Sequence, residues 1–264
     1  KKQSAGHELA GKTLGVIGLG AIGANVANAA RALGMKVMGY DPYLSINAAW
    51  SLDRSIKHVT DVNDIYAQAD FITVHVPATD QTRGLVGRDA IARMRAGVVF
   101  VNYARDVLVD EQAMAEALAS GKVARYVTDF ANPASANMKN AIVTPHLGAS
   151  TAEAEDNCAI MAVNELRDYI ENGNVRNSVN FGAVDLGPIA GDGRIAIFHK
   201  NVQGMIGGIT QVLAETDLNI ENMANKSRGD NAYTLLEVTG KLDDSIAEKI
   251  AALDNVYRVR VITR

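Results

Sequence analysis

Apolar runs and helix-like stretches alternate along the first half of the chain. Residues 14–17 form a short apolar run, followed by glycines and an Ala-rich helical stretch over 21–33 that Gly34 closes. A second apolar run covers 35–40. The alternation continues with a strand at 71–76 ended by Pro77, a helix at 89–94 and a strand at 98–102. It goes on with a helix at 111–119, a strand at 124–127 and a strand at 141–144 ended by Pro145. Strands separated by helices predict a doubly wound parallel sheet in an α/β unit.

A long helix is predicted over 151–172, with Ser150, Thr151 and Glu153 offering capping groups and Gly173 following its end. Cys158, Met161, Leu166 and Ile170 fall along one side of it. The periodicity assigns that side to core contact and makes Cys158 a small buried hydrophobe. Beyond Asn177, Gly182, Gly187, Pro188 and Gly191 break any periodicity, which reads as a linker over 177–193. The tail, 194–264, follows the order strand (195–199), helix (205–216), strand (219–225), strand (233–239), helix (245–253), strand (256–262). βαββαβ is the ferredoxin-like arrangement. The organisation expected is therefore 1–176, with the 151–172 helix returning to the first unit, then a linker at 177–193, then 194–264.

Composition narrows the function classes. The chain has 264 residues, 48% of them hydrophobic, and a formal charge of −4. That supports a real core and provides no basic field for nucleic acid or an anionic membrane. Cys158 is the single cysteine, so no internal disulfide forms, which fits the cytoplasm. No apolar run approaches the roughly 20 residues of a membrane span. His7 and His58 have no evident partners and read as surface residues.

Chemistry enters with Gly18-Leu19-Gly20-Ala21-Ile22-Gly23, which lies between the first strand and the first helix. Gly18 suits the tight turn, Gly20 a close approach of backbone to a pyrophosphate, and Gly23 close helix–strand packing. Asp41 ends the second strand, where its carboxylate can accept a ribose hydroxyl and repel a 2′-phosphate. This is a Rossmann dinucleotide fingerprint, and it favours NAD over NADP.

Three patches lie at strand ends, where open sheets of this kind bind ligands. They are His75-Val76-Pro77, Asn102-Tyr103-Ala104-Arg105 and Thr144-Pro145-His146-Leu147-Gly148. Hydride transfer needs a group to take a hydroxyl proton and a cation to hold a carboxylate, tasks suited to His and Arg respectively. The run from Asn102 to Glu111 resembles the NxxRGxLVDE stretch of the D-2-hydroxyacid dehydrogenase family, and 144–151 its TPHLGAST stretch, as found in the phosphoglycerate branch. The tail resembles an ACT regulatory domain.

The resemblance implies NAD-dependent oxidation of a 2-hydroxy acid, 3-phospho-D-glycerate in that branch, in a homo-oligomer. It implies that Arg105 clamps the substrate and that His146 is the acid/base. Cofactor contacts would come from Gly18, Gly20, Ala21, Ile22, Gly23, Asp41, His75, Val76, Pro77, Thr82, Asn102, Ala104, Asp129, His146 and Gly148, with Asp129 near the carboxamide. No metal is implied. His199, Asn201 and Asn219 would hold a small amino acid such as serine between paired tails.

Two residues depart from the family pattern. Asn132 stands where a glutamate usually pairs with the catalytic histidine, so His146 is paired either by Asn132 or by a substitute carboxylate, Asp129 or Glu153. Asp106 replaces a glycine beside Arg105. The family also has about a hundred residues of substrate domain ahead of the first strand seen here, so this chain is expected to bind NAD and turn over poorly. A non-catalytic NAD-sensing module and a dehydrogenase of another 2-hydroxy acid remain rival readings.

Overall fold

The computed structural model describes residues 6–263. The chain divides into two compact units, Lys1–Gly148 and Ala149–Arg264.

The first unit contains β1 (Thr13–Ile17), α1 (Ala21–Ala32), β2 (Lys36–Tyr40), α2 (Ile46–Trp50), β3 (Lys57–His58) and α3 (Val62–Gln68). It continues with β4 (Phe71–Val74), α4 (Arg88–Arg93), β5 (Val98–Asn102), α5 (Glu111–Ser120), β6 (Val123–Thr128), α6 (Pro133–Asn137) and β7 (Ala141–Val143). Its seven strands lie in the order β3-β2-β1-β4-β5-β6-β7, and every neighbouring pair is parallel. The order reverses between β1 and β4, which opens a crevice at the carboxyl ends of those strands. Central strands are apolar on both faces because helices cover both: Val16, Ile72, Val74 and Phe100 are all fully buried. The helix α1 buries only Gly23, Ala24, Ala27 and Ala30, small residues that let its axis approach the sheet.

The periodic pattern did not disclose α2, β3, α3 or α6. Each is short; the three helices are set by local capping, as where Asp61 accepts from the Asn63 amide at the start of α3, and β3 by pairing with β2.

The second unit contains α7 (Ala152–Asn172), β8 (Gly193–Lys200), α8 (Met205–Ala214), β9 (Asn219–Arg228), β10 (Asn231–Thr239), α9 (Asp244–Ala251) and β11 (Val256–Thr263). The four strands run β11-β8-β10-β9, all antiparallel. That is the ferredoxin-like order expected of βαββαβ. One face packs Ile195, Ile197, Leu236 and Val238 against Ile209 and Leu213 of α8 and Ile246 and Ile250 of α9.

The other face corrects the expected linker. Tyr233, Leu235, Ala196 and Ile262 are covered by Val175, Phe181, Val184, Leu186 and Ile189, with Tyr169 of α7. Polar anchors hold this wrap. Arg194 is wholly buried and its guanidinium donates to the carbonyls of Asn172, Leu186, Gly187 and Pro188 and to Glu237. Glu237 in turn accepts from the amides of Ala190 and Gly191. Glycine and proline therefore mark a segment without regular structure, yet one fastened by Arg194 just beyond its end and by the distant Glu237.

The 151–172 helix groups with this second unit, whereas the sequence reading placed it with the first. Its apolar stripe is also exposed: Met161, Leu166 and Ile170 are each more than half exposed, and Cys158 is exposed too, against the buried place expected of it. Periodicity shows which side of a helix is apolar and does not supply the neighbour that covers it.

Candidate active site

The glycine turn is built where β1 meets α1. Gly18 has φ +91°, a left-handed conformation that a side chain resists. A Cβ on Gly23 would lie 1.9 Å from the Gly18 carbonyl oxygen, so helix and turn touch only because Gly23 has no side chain. Gly20 is different: a Cβ there would meet nothing within 4 Å, so its surface is open. Gly20 is also the N-cap of α1, and no side chain caps that end, so the first amides of the helix, at the exposed Ala21 and Ile22, have no side-chain partner.

Asp41 secures this turn from β2. Its Oδ2 accepts from the Leu19 amide at 2.8 Å and its Oδ1 from the Tyr43 amide at 2.9 Å. Beside it lies a cavity of about 1000 Å³ lined by Leu19, Asp41, Trp50, Leu52 and His58 among others. The periodic pattern missed α2 and with it Trp50, although Ser45 is a recognisable N-cap, accepting from the Ala48 amide.

Across the switch point the amide of His75 donates to the Ile17 carbonyl at 2.7 Å, joining the loop after β4 to the loop after β1. His75 Nε2 is 3.0 Å from Thr73 Oγ1. Burial pushes the His75 pKa down, which favours the neutral ring. The Thr82 hydroxyl donates to the Pro77 carbonyl at 2.6 Å and steadies the Val76-Pro77 turn.

Asn102, at the end of β5, has no exposed surface. Its amide group donates to the Arg105 carbonyl at 2.8 Å and accepts from the Ala104 and Arg105 amides. Asn102 is therefore the clamp of the loop that presents Arg105, whose guanidinium is exposed and donates to the Ala104 carbonyl at 2.6 Å. Asp106 opens a 3-10 turn and accepts from the Val107 amide through its own Oδ1. It is not among the residues with positive φ, so an aspartate fits this position without strain.

The last patch lies beyond β6 and β7. Thr144 donates its amide to the Thr128 carbonyl, keeping the two strand ends level. His146 Nδ1 is 3.1 Å from Asp129 Oδ2, and the imidazole is about half exposed while Asp129 is 11% exposed. The Phe130 ring packs against the imidazole with centroids 4.9 Å apart. Asn132 does not reach His146. Its side-chain oxygen accepts from the Ser135 amide as the cap of α6, and its amide nitrogen donates to Glu111. Asn132-Pro133 is itself a helix-start signal, and the capping role could have been read from it. Gly148 closes the patch with φ +54°.

Arg105, Asp129 and His146 thus follow three adjacent parallel strands at one end of the sheet, the end that carries the glycine turn. The residues fit NAD on two observations. The turn offers an open backbone surface at Gly20 to a pyrophosphate. Asp129 Oδ1 is buried and has no hydrogen-bond partner, so it can accept from an amide such as the nicotinamide carboxamide. Among the described residues, no three His, Cys, Asp or Glu are gathered for a metal ion, and no helix is long and apolar enough to cross a membrane.

In the second unit the three effector candidates differ in access. His199 is 2% exposed; its ring nitrogens lie 2.9 Å from the Lys200 carbonyl and 2.9 Å from Thr234 Oγ1. Asn201 and Asn219 are exposed and bond to the Gly229 carbonyl and to Glu221. The ring of His199 is therefore already engaged by its own unit.

Comparison with known proteins gives the family. Residues 1–148 match the family described as D-isomer specific 2-hydroxyacid dehydrogenase, NAD binding domain. The chain is 32% identical to D-3-phosphoglycerate dehydrogenase of Haemophilus influenzae over 273 residues, covering 99% of this chain and 65% of that protein. It is 41% identical to hydroxypyruvate reductase of Thermotoga maritima over 175 residues, covering 63% of this chain and 55% of that protein. Among solved structures, a glyoxylate reductase from Paecilomyes thermophila superposes with a TM-score of 0.60 at 34% identity, covering 67% of this chain and 54% of that one. The chain spans between 35% and 66% of the length of the phosphoglycerate dehydrogenases it matches in Methanocaldococcus jannaschii and Dictyostelium discoideum. With a family match over more than half its length, laid on a glycine turn, an acidic strand end and an Arg–His pair of the right kind, the chain belongs to the D-isomer specific 2-hydroxyacid dehydrogenases and carries their NAD-binding domain.

Proposed function

We propose that this chain forms the cofactor-binding and regulatory part of a dehydrogenase that oxidises 3-phospho-D-glycerate to 3-phosphohydroxypyruvate. The observation that carries the reading is the placement of Arg105, Asp129 and His146 after three neighbouring strands on the glycine-turn side of the sheet. Bound NAD would supply the hydride acceptor. The open backbone at Gly20 and the uncapped start of α1 would receive its phosphates, and Asp41 its adenosine ribose. Arg105 holds the substrate carboxylate through its planar fork. His146 would take the proton from the hydroxyl oxygen as hydride leaves the carbon that bears it, so that the alcohol becomes a carbonyl. The long relative supports 3-phosphoglycerate over other substrates, because its similarity runs through the tail as well as the nucleotide-binding unit.

The second unit acts in this reading as an ACT-type domain that pairs between copies of the chain. Asn201 and Asn219 face solvent and would contact an amino acid such as serine, while the buried His199 shapes the loop beside them. The βαββαβ order and the exposed edge strand β9 support it.

Calorimetry with NADH and NADPH, followed by assays with 3-phosphoglycerate and hydroxypyruvate, tests the whole. Tight NADH binding with turnover of 3-phosphoglycerate is expected of the active protein. Turnover of hydroxypyruvate alone favours a different 2-hydroxy acid, a reading supported by the hydroxypyruvate reductase relative. Binding without turnover of either favours a non-catalytic NAD-sensing module. Absence of NADH binding overturns all three.

A further inference from the structure

An imidazole that accepts a substrate proton at one nitrogen needs its other nitrogen protonated and held. Of the three candidate partners, Glu153 belongs to the other compact unit, and the structure separates the two that share the unit of His146. Asn132 has spent both ends of its side chain: the oxygen caps α6 at the Ser135 amide, and the nitrogen donates to Glu111. Asp129 has not. Its Oδ2 lies 3.1 Å from His146 Nδ1, and its Oδ1 is buried without a partner. Phe130, next in sequence, packs on the imidazole and restricts its swing. The backbone supports the same pairing, because the Thr144–Thr128 hydrogen bond fixes the end of β7 beside the end of β6.

We propose that Asp129 is the positioning residue of His146, holding the ring as the Nδ1–H tautomer with its Nε2 lone pair free, and that Asn132 serves only the fold. The inference rests on the acid/base reading of His146 given above. It assigns two tasks to one carboxylate. Oδ2 orients the imidazole, and Oδ1 remains the acceptor for a cofactor amide. The side chain that fixes the base would then also touch the cofactor. A carboxylate beside Nδ1 favours the proton on that nitrogen, whereas free imidazole prefers it on Nε2.

The test is a two-bond 15N–1H correlation spectrum of the full chain, without ligand, at a pH where His146 is neutral. The His146 signals are assigned by their loss in His146→Gln. The wild-type ring is expected to show a protonated Nδ1 and a bare Nε2. Asp129→Asn should shift the proton to Nε2, and Asn132→Ala should leave the pattern unchanged. A wild-type ring protonated at Nε2 overturns the proposal without any variant, whether or not the variants fold. So does an Asn132→Ala chain that loses the Nδ1 proton while its other histidine signals stay in place. NADH titration gives the second readout: Asp129→Asn should weaken binding several-fold, and an unchanged affinity removes the dual role. A wild-type Nδ1–H signal in a chain that oxidises no 2-hydroxy acid supports the pairing and sinks only the catalytic reading.

Discussion

The two units handle charge in opposite ways. In the first, Arg105 and His146 lie at the surface on loops after strand ends, held by buried neutral or acidic partners such as Asn102 and Asp129. In the second, the charged pair is inside: Arg194 is wholly buried and Glu237 is 2% exposed, and both are engaged by each other and by the backbone of their own unit, with Arg194 Nε left without a partner. A charge left reachable at the end of a rigid strand can meet a ligand. A charge satisfied by carbonyls and amides of its own chain cannot, and its effect is to fix where that chain lies.

The largest expected effect follows from breaking the inner pair. Arg194→Ala leaves Glu237 buried without its cation and releases six acceptors, so it should cost the second unit about 3–5 kcal/mol. Hydrogen exchange of the β10 amides should report that loss while β4 amides stay protected. Equal loss in both units would end the division drawn here.

Next come the apolar cores. Ile65 and Ile209 are fully buried, one in each unit. Truncation of either to alanine should remove about 2–5 kcal/mol. Denaturant unfolding followed unit by unit through hydrogen exchange should show each variant lowering its own unit's midpoint.

Smaller effects are expected at the nucleotide turn. Gly23→Ala drives a methyl group into the Gly18 carbonyl. Calorimetry should show NADH affinity falling by about tenfold or more, roughly 1.4 kcal/mol. Stability should fall too, by about 1–3 kcal/mol, because the start of α1 must move off the turn to seat the methyl group.

The gentlest probe is acid. Burial alone would raise the Glu237 pKa, but the Gly191 and Ala190 amides and Arg194 outweigh it and hold the carboxyl below its ordinary value. A carboxylate with a depressed folded-state pKa contributes stability above its unfolded pKa, about 4.3, and that contribution fades as pH falls through the folded value. Below about pH 4 the second unit should therefore loosen through this group, and Glu237→Gln should flatten that part of its stability–pH curve.

The alternation of apolar runs and helices was readable because parallel strands covered on both faces must be continuously apolar, as in 71–74 and 98–102. The glycine turn and Asp41 were readable for the same kind of reason: each occupies a position whose geometry admits few residue types. The wrap over 175–191 was not readable. Its anchors, Arg194 and Glu237, are separated by 43 positions and look like ordinary surface charges in a strand. The partner of His146 was narrowed to three candidates and no further. Asn132 and Asp129 are three positions apart, and only the path of the backbone into α6 turns the asparagine away.

The fastening of residues 172–191 onto the tail sheet has a consequence for anyone who would move that tail to another protein. A cut made at Arg194, where regular structure resumes, would strip the aromatic side of the sheet and strand the guanidinium among missing carbonyls. The transplantable cassette begins upstream of Tyr169, and a host joined there would receive the tail together with its own built-in cladding.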